Sequence, residues 1–241
     1  MYWFYKIQLL CDSCQMAKIK KLPFLDSHQI STHPLELIHS YVWTSPIMCP
    51  GGCKFYVLFI DDHSRFSWLY LLRHKSEVLS CFVKFKNLVE SLFSCKIKQI
   101  QTNNRGEYVS AAFKLFTDTH GIFHRFTCPY TLEQNGISKR KHRHITETGL
   151  TLLAQSHLDF HYWVEAFLTA VYLINQLPTP VLNHQSPYFR LFHTHPDYSL
   201  LKTFGCACYP LLRPYTPHKL TFRSKKCLFI GYSSTQKGYR S

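Results

Sequence analysis

The stretch from Gln101 to Leu153 constrains the fold more than any other part of this 241-residue chain. Its pattern predicts the end of a strand, a helix over 107–119, a fifth strand over 122–129, a turn and then a long basic helix. Asn103 falls at the C-terminal end of the first of these strands, and Lys139 falls on the first turns of the basic helix. Two side chains that are far apart in the sequence are therefore expected at one site.

The residues before this stretch predict three strands and a crossover helix. The apolar run 35–43 reads as a first strand, and 56–74 reads as a hairpin of two strands around a polar turn. Apolar residues recur at intervals of three and four over 76–93, which predicts an amphipathic helix with Ser76 as its N-cap. A fourth strand is predicted over 96–102.

The residues after the stretch predict a second apolar helix and a β-rich tail. The helix covers 160–178 and is ended by Pro178. Its apolar stripe indicates core packing or a dimer face rather than a ligand site; the stripe consists of Trp163, Phe167, Val171 and Ile174. Beyond residue 203, short β-rich runs alternate with Pro and Gly turns.

Composition limits the class of protein. Hydrophobic residues at 46% and aromatic residues at 16% exclude wholesale disorder. A net charge of +14 indicates a polyanionic partner, although a protein that is merely basic is an equal alternative on charge alone. No run of apolar residues is long enough to span a membrane. Ten scattered cysteines without a secretory signal predict reduced thiols in an intracellular protein, nuclear if it acts on DNA.

Several segments resemble the integrases of copia-type retrotransposons. QTNNRGEYVS resembles the family's QSDGGGEF, PYTLEQNGISKRKHRHI resembles PYTPQQNGVAERKHRHI, and LELIHSYVW resembles LELIHSDVW. The resemblance implies the integrase core of a Gag-Pol polyprotein, with a role in DNA integration. It also implies an α/β, ribonuclease-H-like fold: a five-stranded mixed sheet flanked by helices, followed by a short SH3-like β segment.

The resemblance also implies a division into three parts. Residues 1–30 would be the remnant of a truncated zinc-binding module and a linker. Residues 31–195 would form the domain that is similar to the integrase catalytic core, and residues 203–241 would form a partial SH3-like segment.

The three catalytic carboxylates of the family have no counterpart in this chain. The family's first Asp falls at Tyr41, its second Asp at Asn103 and its Glu at Lys139. In the family these carboxylates hold Mg²⁺, a hard cation that requires anionic oxygen ligands. A phenol, an amide and an ammonium group do not provide them, so we expect a degenerate, catalytically inactive copy without a bound metal. The alternative that the three positions are misread in an active integrase remains open.

Three other carboxylates could in principle replace the lost ligands. Asp61 and Asp62 lie in the turn after the second predicted strand, where they are expected to cap the turn. Glu107 is expected at a helix N-terminus, where negative charge is favoured. The sequence therefore does not predict a rescued magnesium site.

Cys11 and Cys14 have the spacing of half a zinc site. In the family, two His residues upstream complete the site, but residues 1–10 contain neither His nor Cys. His28 or His33 could substitute, although an unmetallated pair is the better interpretation. We therefore expect no zinc here.

A run of cations on the basic helix is the candidate nucleic-acid contact. Lys139, Arg140, Lys141 and Arg143 would lie beside the former active site, where phosphate contact is favoured over a merely solvated face. Such contacts predict DNA binding without sequence specificity. A homodimer through the core is a further expectation. A non-enzymatic DNA-binding or protein-binding module that reuses the fold is the alternative function.

Overall fold

The computed structural model describes residues 31–127, 135–211, 218, 220, 222–233 and 238–241. The predictions for residues 1–30, including the half zinc site of Cys11 and Cys14 and its possible partner His28, lie outside these residues.

A five-stranded mixed sheet is the centre of the fold. The strands are β1 (Leu37–Thr44), β2 (Phe55–Asp61), β3 (Ser67–Leu72), β4 (Gln99–Thr102) and β5 (Phe123–Phe126), in the spatial order β3-β2-β1-β4-β5. The first three strands pair antiparallel, whereas β4 runs parallel to β1 and β5 runs parallel to β4. This arrangement confirms the predicted ribonuclease-H-like sheet.

The two faces of the sheet pack against different helices, because side chains alternate along each strand. On one face, Val57 and Phe59 of β2 join a core covered by α1 (Val78–Phe93), α2 (Gly106–Val109) and α3 (Ala111–Thr119). The ring of Phe59 stacks on Phe85 of α1 with 4.5 Å between the centroids. Burial of this aromatic core holds the first helix layer on the sheet.

The opposite face of the sheet is covered by a second helix layer. Tyr56, Leu58 and Ile60 of β2 pack against α4 (Gly136–Ser156) and α5 (Trp163–Gln176). All four residues of the predicted apolar stripe on α5 are buried in this core, so core packing is the correct interpretation of that stripe. A short helix follows, α6 (Pro187–Phe192).

One buried amide fixes α5 to the edge of the sheet. Asn175 Oδ1 accepts a hydrogen bond from the backbone N–H of Ser67 at 3.0 Å, and Asn175 Nδ2 donates to the Ser67 carbonyl oxygen at 2.8 Å. Both backbone groups belong to the first residue of β3. Because all of these atoms are buried, the pair makes α5 part of the sheet rather than a loosely packed helix.

Three local predictions are wrong in detail. Ser76 is not an N-cap, because a 3-10 turn over Lys75–Glu77 precedes α1, which begins at Val78. The helix predicted over 107–119 is two helices, since Ser110 adopts an extended conformation and its hydroxyl accepts a hydrogen bond from Phe113 N. The apolar helix begins with a 3-10 turn over Phe160–Tyr162 and ends at Gln176.

In the described part of the chain beyond residue 203, four short strands follow the helices. They form two antiparallel pairs, β6 (Ala207–Cys208) with β7 (Cys227–Leu228) and β8 (Gly231–Tyr232) with β9 (Tyr239–Arg240). Tyr232 of β8 stacks on Tyr172 of α5 with 3.9 Å between the ring centroids. The β-rich segment therefore packs directly on the core.

Candidate nucleic-acid interface

The fold brings Tyr41 of β1, Asn103 at the C-terminal end of β4 and the start of α4 towards one region of the sheet. His39 of β1 lies opposite Gln101 of the parallel strand β4, so Tyr41 and Asn103 are each two residues beyond the same register pair. The start of α4, whose first turn carries Lys139, is held against β1 by Asn135. Its Nδ2 donates to the carbonyl oxygen of Ser40 at 3.5 Å.

Tyr41 forms part of an aromatic cluster below α4. Its ring centroid lies 5.1 Å from that of His142, and the ring of Trp43 lies 5.7 Å from the same imidazole. The hydroxyl of Tyr56 and Nδ1 of His142 form a hydrogen bond of 2.5 Å. The position that carries a carboxylate in the resembling integrases is thus occupied by a packed ring that steadies the basic helix.

His142 is electrically neutral in this cluster. Burial lowers its pKa to about 4, and burial raises the pKa of the Tyr56 hydroxyl above its ordinary value. The tyrosine therefore keeps its proton, and its hydroxyl donates a hydrogen bond to Nδ1 in the tautomer that leaves Nδ1 unprotonated. Protonation of His142 would remove this acceptor and place a charge among aromatic rings.

Acid should destabilise the fold through His142. An unfolded His titrates near pH 6.5, whereas the folded group titrates near pH 4. The contribution of neutral His142 to the unfolding free energy is present above pH 6.5 and is lost as the pH falls from 6.5 towards 4. Between pH 7.5 and 5, we expect the unfolding free energy of wild type to fall by about 1 kcal/mol more than that of His142→Gln. This figure allows for partial solvent exposure of the imidazole.

Urea titrations at the two pH values measure this difference. His33→Gln is the control, because the His33 side chain is exposed. An equal fall in stability for wild type and His142→Gln would contradict the assignment.

The oxygen atoms near Asn103 do not form a magnesium site. Asn103 Oδ1 and Glu107 Oε1 are buried and have no hydrogen-bond partner. They supply one neutral amide oxygen and one carboxylate, however, and the third catalytic position carries the ammonium group of Lys139. Within the described parts of the chain, no three His, Cys, Asp or Glu residues are grouped so that they could hold a metal. The residues present therefore do not fit the metal that the family uses.

The other two carboxylates have structural roles. Asp61 accepts hydrogen bonds from the backbone N–H of Leu35 at 2.8 Å and from Ser64, and Asp62 contacts Ser31 N, His39 and Arg65. These hydrogen bonds and charges outweigh burial and lower the pKa of Asp62 to about 2. Both groups fasten the start of β1 to the β2–β3 turn, as expected of turn caps. Glu107 lies in the first turn of α2, which is also the predicted position.

The four cations of the basic run face different environments. Arg140 and Arg143 are exposed, whereas Lys139 and Lys141 are half-buried. Burial lowers the pKa of Lys141 to about 8, and the positive charge of Arg65 lowers it further in the same direction. Arg140 and Arg143 are therefore the members of the run that are most accessible to a phosphate backbone.

Arg65 is a residue near α4 that the sequence reasoning missed. It adopts a positive φ of 58° in the β2–β3 turn, and its Nη1 lies 3.0 Å from Asp62 Oδ1. Its Nε is buried without a hydrogen-bond partner. The sequence shows only that Arg65 follows Asp62 by three residues in a polar turn. That pattern does not indicate that Arg65 also approaches Lys141.

Comparisons with known proteins identify two matching families. Residues 32–131 match the Integrase core domain, and residues 206–241 match the Retroviral polymerase SH3-like domain. The chain is 50% identical over 231 residues to a Retrovirus-related Pol polyprotein from transposon RE1 of Arabidopsis thaliana, with 96% of the chain covered. It is 37% identical over 231 residues to the Pol polyprotein from transposon TNT 1-94 of Nicotiana tabacum, with 95% covered. The chain spans only 16% and 17% of the length of these relatives.

A solved structure supports the fold. A chain in the cryo-EM structure of a simian T-cell lymphotropic virus intasome in complex with PP2A regulatory subunit B56 gamma aligns with a TM-score of 0.59. The alignment covers 91% of this chain and 76% of that chain, at 14% sequence identity, and therefore bears on fold alone. Among the described residues, no helix is long and apolar enough to cross a bilayer. The chain belongs to the integrase-core family of copia-type retrotransposon Pol polyproteins.

Proposed function

We propose that this chain binds the DNA backbone through the exposed cations of α4 and does not catalyse strand transfer. Its family role is DNA integration, and this copy would retain only the binding part of that role. The exposure of Arg140 and Arg143 on α4, whose start Asn135 holds against β1, is the observation that carries the proposal. Such a role would be exercised in the nucleus.

The loss of catalysis follows from charge at the three former ligand positions. Phosphoryl transfer by this class of enzyme uses two divalent cations that carboxylates hold close together. Tyr41 is instead packed against His142, Asn103 offers a neutral amide, and Lys139 adds a positive charge. A dication is repelled by that ammonium group and gains no anionic ligand from any of the three positions in exchange. The same positive charge favours a phosphate.

The spacing of the two arginines suits a phosphate backbone. Residues three apart on a helix lie on one face, so Arg140 and Arg143 can contact one strand together. Both side chains lie on the helix that covers the second face of the sheet, away from α1. The net charge of +14 adds a long-range attraction for any polyanion. Contacts of this kind provide affinity without reading the base sequence.

Salt titration of DNA binding tests the proposal. Each neutralised phosphate contributes about 0.9 to the slope of log affinity against log salt for duplex DNA. We expect the double variant Arg140→Ala, Arg143→Ala to lower that slope by about 2 units, equally for unrelated duplex sequences. Fluorescence anisotropy with a labelled blunt duplex gives the affinity at each salt concentration.

A charge-matched control separates local contact from general attraction. Lys84 and Lys96 are exposed residues at the far face of the sheet, on α1 and just after it. Lys84→Ala, Lys96→Ala removes the same net charge and should leave the slope nearly unchanged. Equal slopes in the two double variants would show that α4 is not the DNA contact.

A further inference from the structure

A groove runs between the edge strand β5 and helices α2 and α3. This open groove has a volume of about 390 Å³ and is lined by Tyr108, Lys114, Asp118, Phe123, His124 and Phe126, among others. Cavities of roughly 300–1,000 Å³ are the size that holds small organic groups. Phe126 lies opposite Thr102, the residue before Asn103, so one end of the groove lies beside the C-terminal end of β4.

Exposed aromatic rings line this groove. The ring of Phe126 lies over the imidazole of His124, with 3.9 Å between the centroids and 36° between the planes. Phe126 is 47% exposed and Phe123 is 66% exposed. Aromatic side chains left on a strand edge beside a cavity are the usual platform on which proteins that bind single strands stack a base.

The surroundings of His124 hold its imidazole in contact with neighbouring groups and keep it neutral. Its Nε2 and the hydroxyl of Thr102 form a hydrogen bond of 2.9 Å, and its ring lies 5.2 Å from that of Phe113. Burial lowers the pKa of His124 to about 4, so the imidazole carries no charge at neutral pH. A neutral ring can support Phe126 without repelling or attracting the phosphate groups nearby.

Two polar side chains in the groove match the polar groups of a nucleotide. Lys114 offers an ammonium group that could contact a phosphate, and Asp118 offers a carboxylate that could accept a hydrogen bond from an amino group of a base. Both residues are exposed on α3, one turn apart. The groove thus combines stacking, anion contact and an acceptor within one small space.

We propose that this groove holds an unpaired base of a DNA strand, stacked on Phe126, while the adjoining duplex lies along α4. The inference rests on the proposed function, because it takes DNA to be the ligand of the neighbouring surface. A base inside a duplex is stacked on both faces and cannot enter, so the groove selects a single-stranded tail or an extruded nucleotide.

The test compares two DNA molecules that share the same duplex. One is blunt and the other carries a short single-stranded tail, and anisotropy measures the affinity of the chain for both. We expect wild type to prefer the tailed DNA, and Phe126→Ala to weaken binding of the tailed DNA about 5- to 20-fold without changing binding of the blunt DNA. Phe126→Leu should lose the preference and Phe126→Trp should keep it, because stacking requires an aromatic ring.

Phe160→Ala is the matched control, since Phe160 is 59% exposed and lies on the opposite helix layer. It should leave both affinities unchanged.

The proposal is overturned if wild type has no preference for the tailed DNA, or if Phe126→Ala weakens the binding of both DNA molecules equally. Binding of the blunt duplex with no effect of the tail would contradict this inference alone. Binding of the tailed DNA together with no binding of the blunt duplex would contradict only the proposed role of α4. If neither DNA molecule binds, both proposals are contradicted.

Discussion

Restoring the three carboxylates should give the chain Mg²⁺-dependent strand transfer. In the triple variant Tyr41→Asp, Asn103→Asp, Lys139→Glu, two neutral groups and one cation become three anions in one region of the sheet. Metal-assisted stabilisation of several kcal/mol corresponds to a rate increase of about 1,000-fold or more over the unmodified chain. A gel assay for joining of labelled DNA ends, with and without Mg²⁺, measures the gain.

The matched control carries the same two Asp substitutions with Lys139→Gln. Gln has the shape of Glu without its charge, so this control should bind Mg²⁺ more weakly than the triple variant and stay inactive. Isothermal calorimetry can detect the metal in both variants without any reaction. Activity of the unmodified chain would refute the claim that it is inactive. A specific Mg²⁺ site in the unmodified chain would refute the argument from ligand charge.

Restoration has a structural cost that the controls must measure. Tyr41 packs against His142, which in turn is hydrogen-bonded to the hydroxyl of Tyr56, so Tyr41→Asp removes one ring from the support of α4. Three clustered carboxylates also repel one another when no metal is present. We therefore expect the triple variant to be less stable than wild type in metal-free buffer and to regain stability when Mg²⁺ is added.

The sheet was predictable because its signals are local and repeated. The hairpin of β2 and β3 follows from two apolar runs around one polar turn, and the parallel strands β4 and β5 follow from strands separated by helices. The position of Asn103 directly after β4 then follows without any tertiary information. The same reasoning placed Lys139 on the first turn of α4.

Side-chain direction within the site could not be predicted in the same way. Four cations in five residues point around the whole circumference of a helix, and only packing decides that Lys141 turns inwards while Arg143 faces solvent. The hydrogen bonds between Asn175 and Ser67 join residues that are 108 positions apart. No periodicity in the sequence reports such a pair, because a lone Asn in an apolar helix has the same local pattern whether or not it finds a partner.

The packing of α4 on α5 depends on Gly149, and this yields the second large expected effect. A Cβ atom at Gly149 would lie 2.4 Å from Cδ1 and 2.7 Å from Cε1 of Phe167, a buried ring of α5. Overpacking of this kind costs about 3 kcal/mol, whereas Ala gains about 1 kcal/mol over Gly in a helix. We expect Gly149→Ala to lower the unfolding free energy by about 2 kcal/mol, measured by urea denaturation.

Gly136→Ala on the same helix is the matched control. There the added Cβ would meet only the guanidinium of Arg140, at 2.9 Å, and a flexible side chain can move away. This variant should be neutral or slightly more stable, so a loss equal to that of Gly149→Ala would contradict the packing argument. Phe167→Leu combined with Gly149→Ala should recover part of the stability, since the smaller side chain leaves room for the methyl group. Because α4 carries Arg140 and Arg143, Gly149→Ala should also weaken DNA binding by shifting both arginines together. The packing of the helix is in this way connected to the surface that binds phosphate.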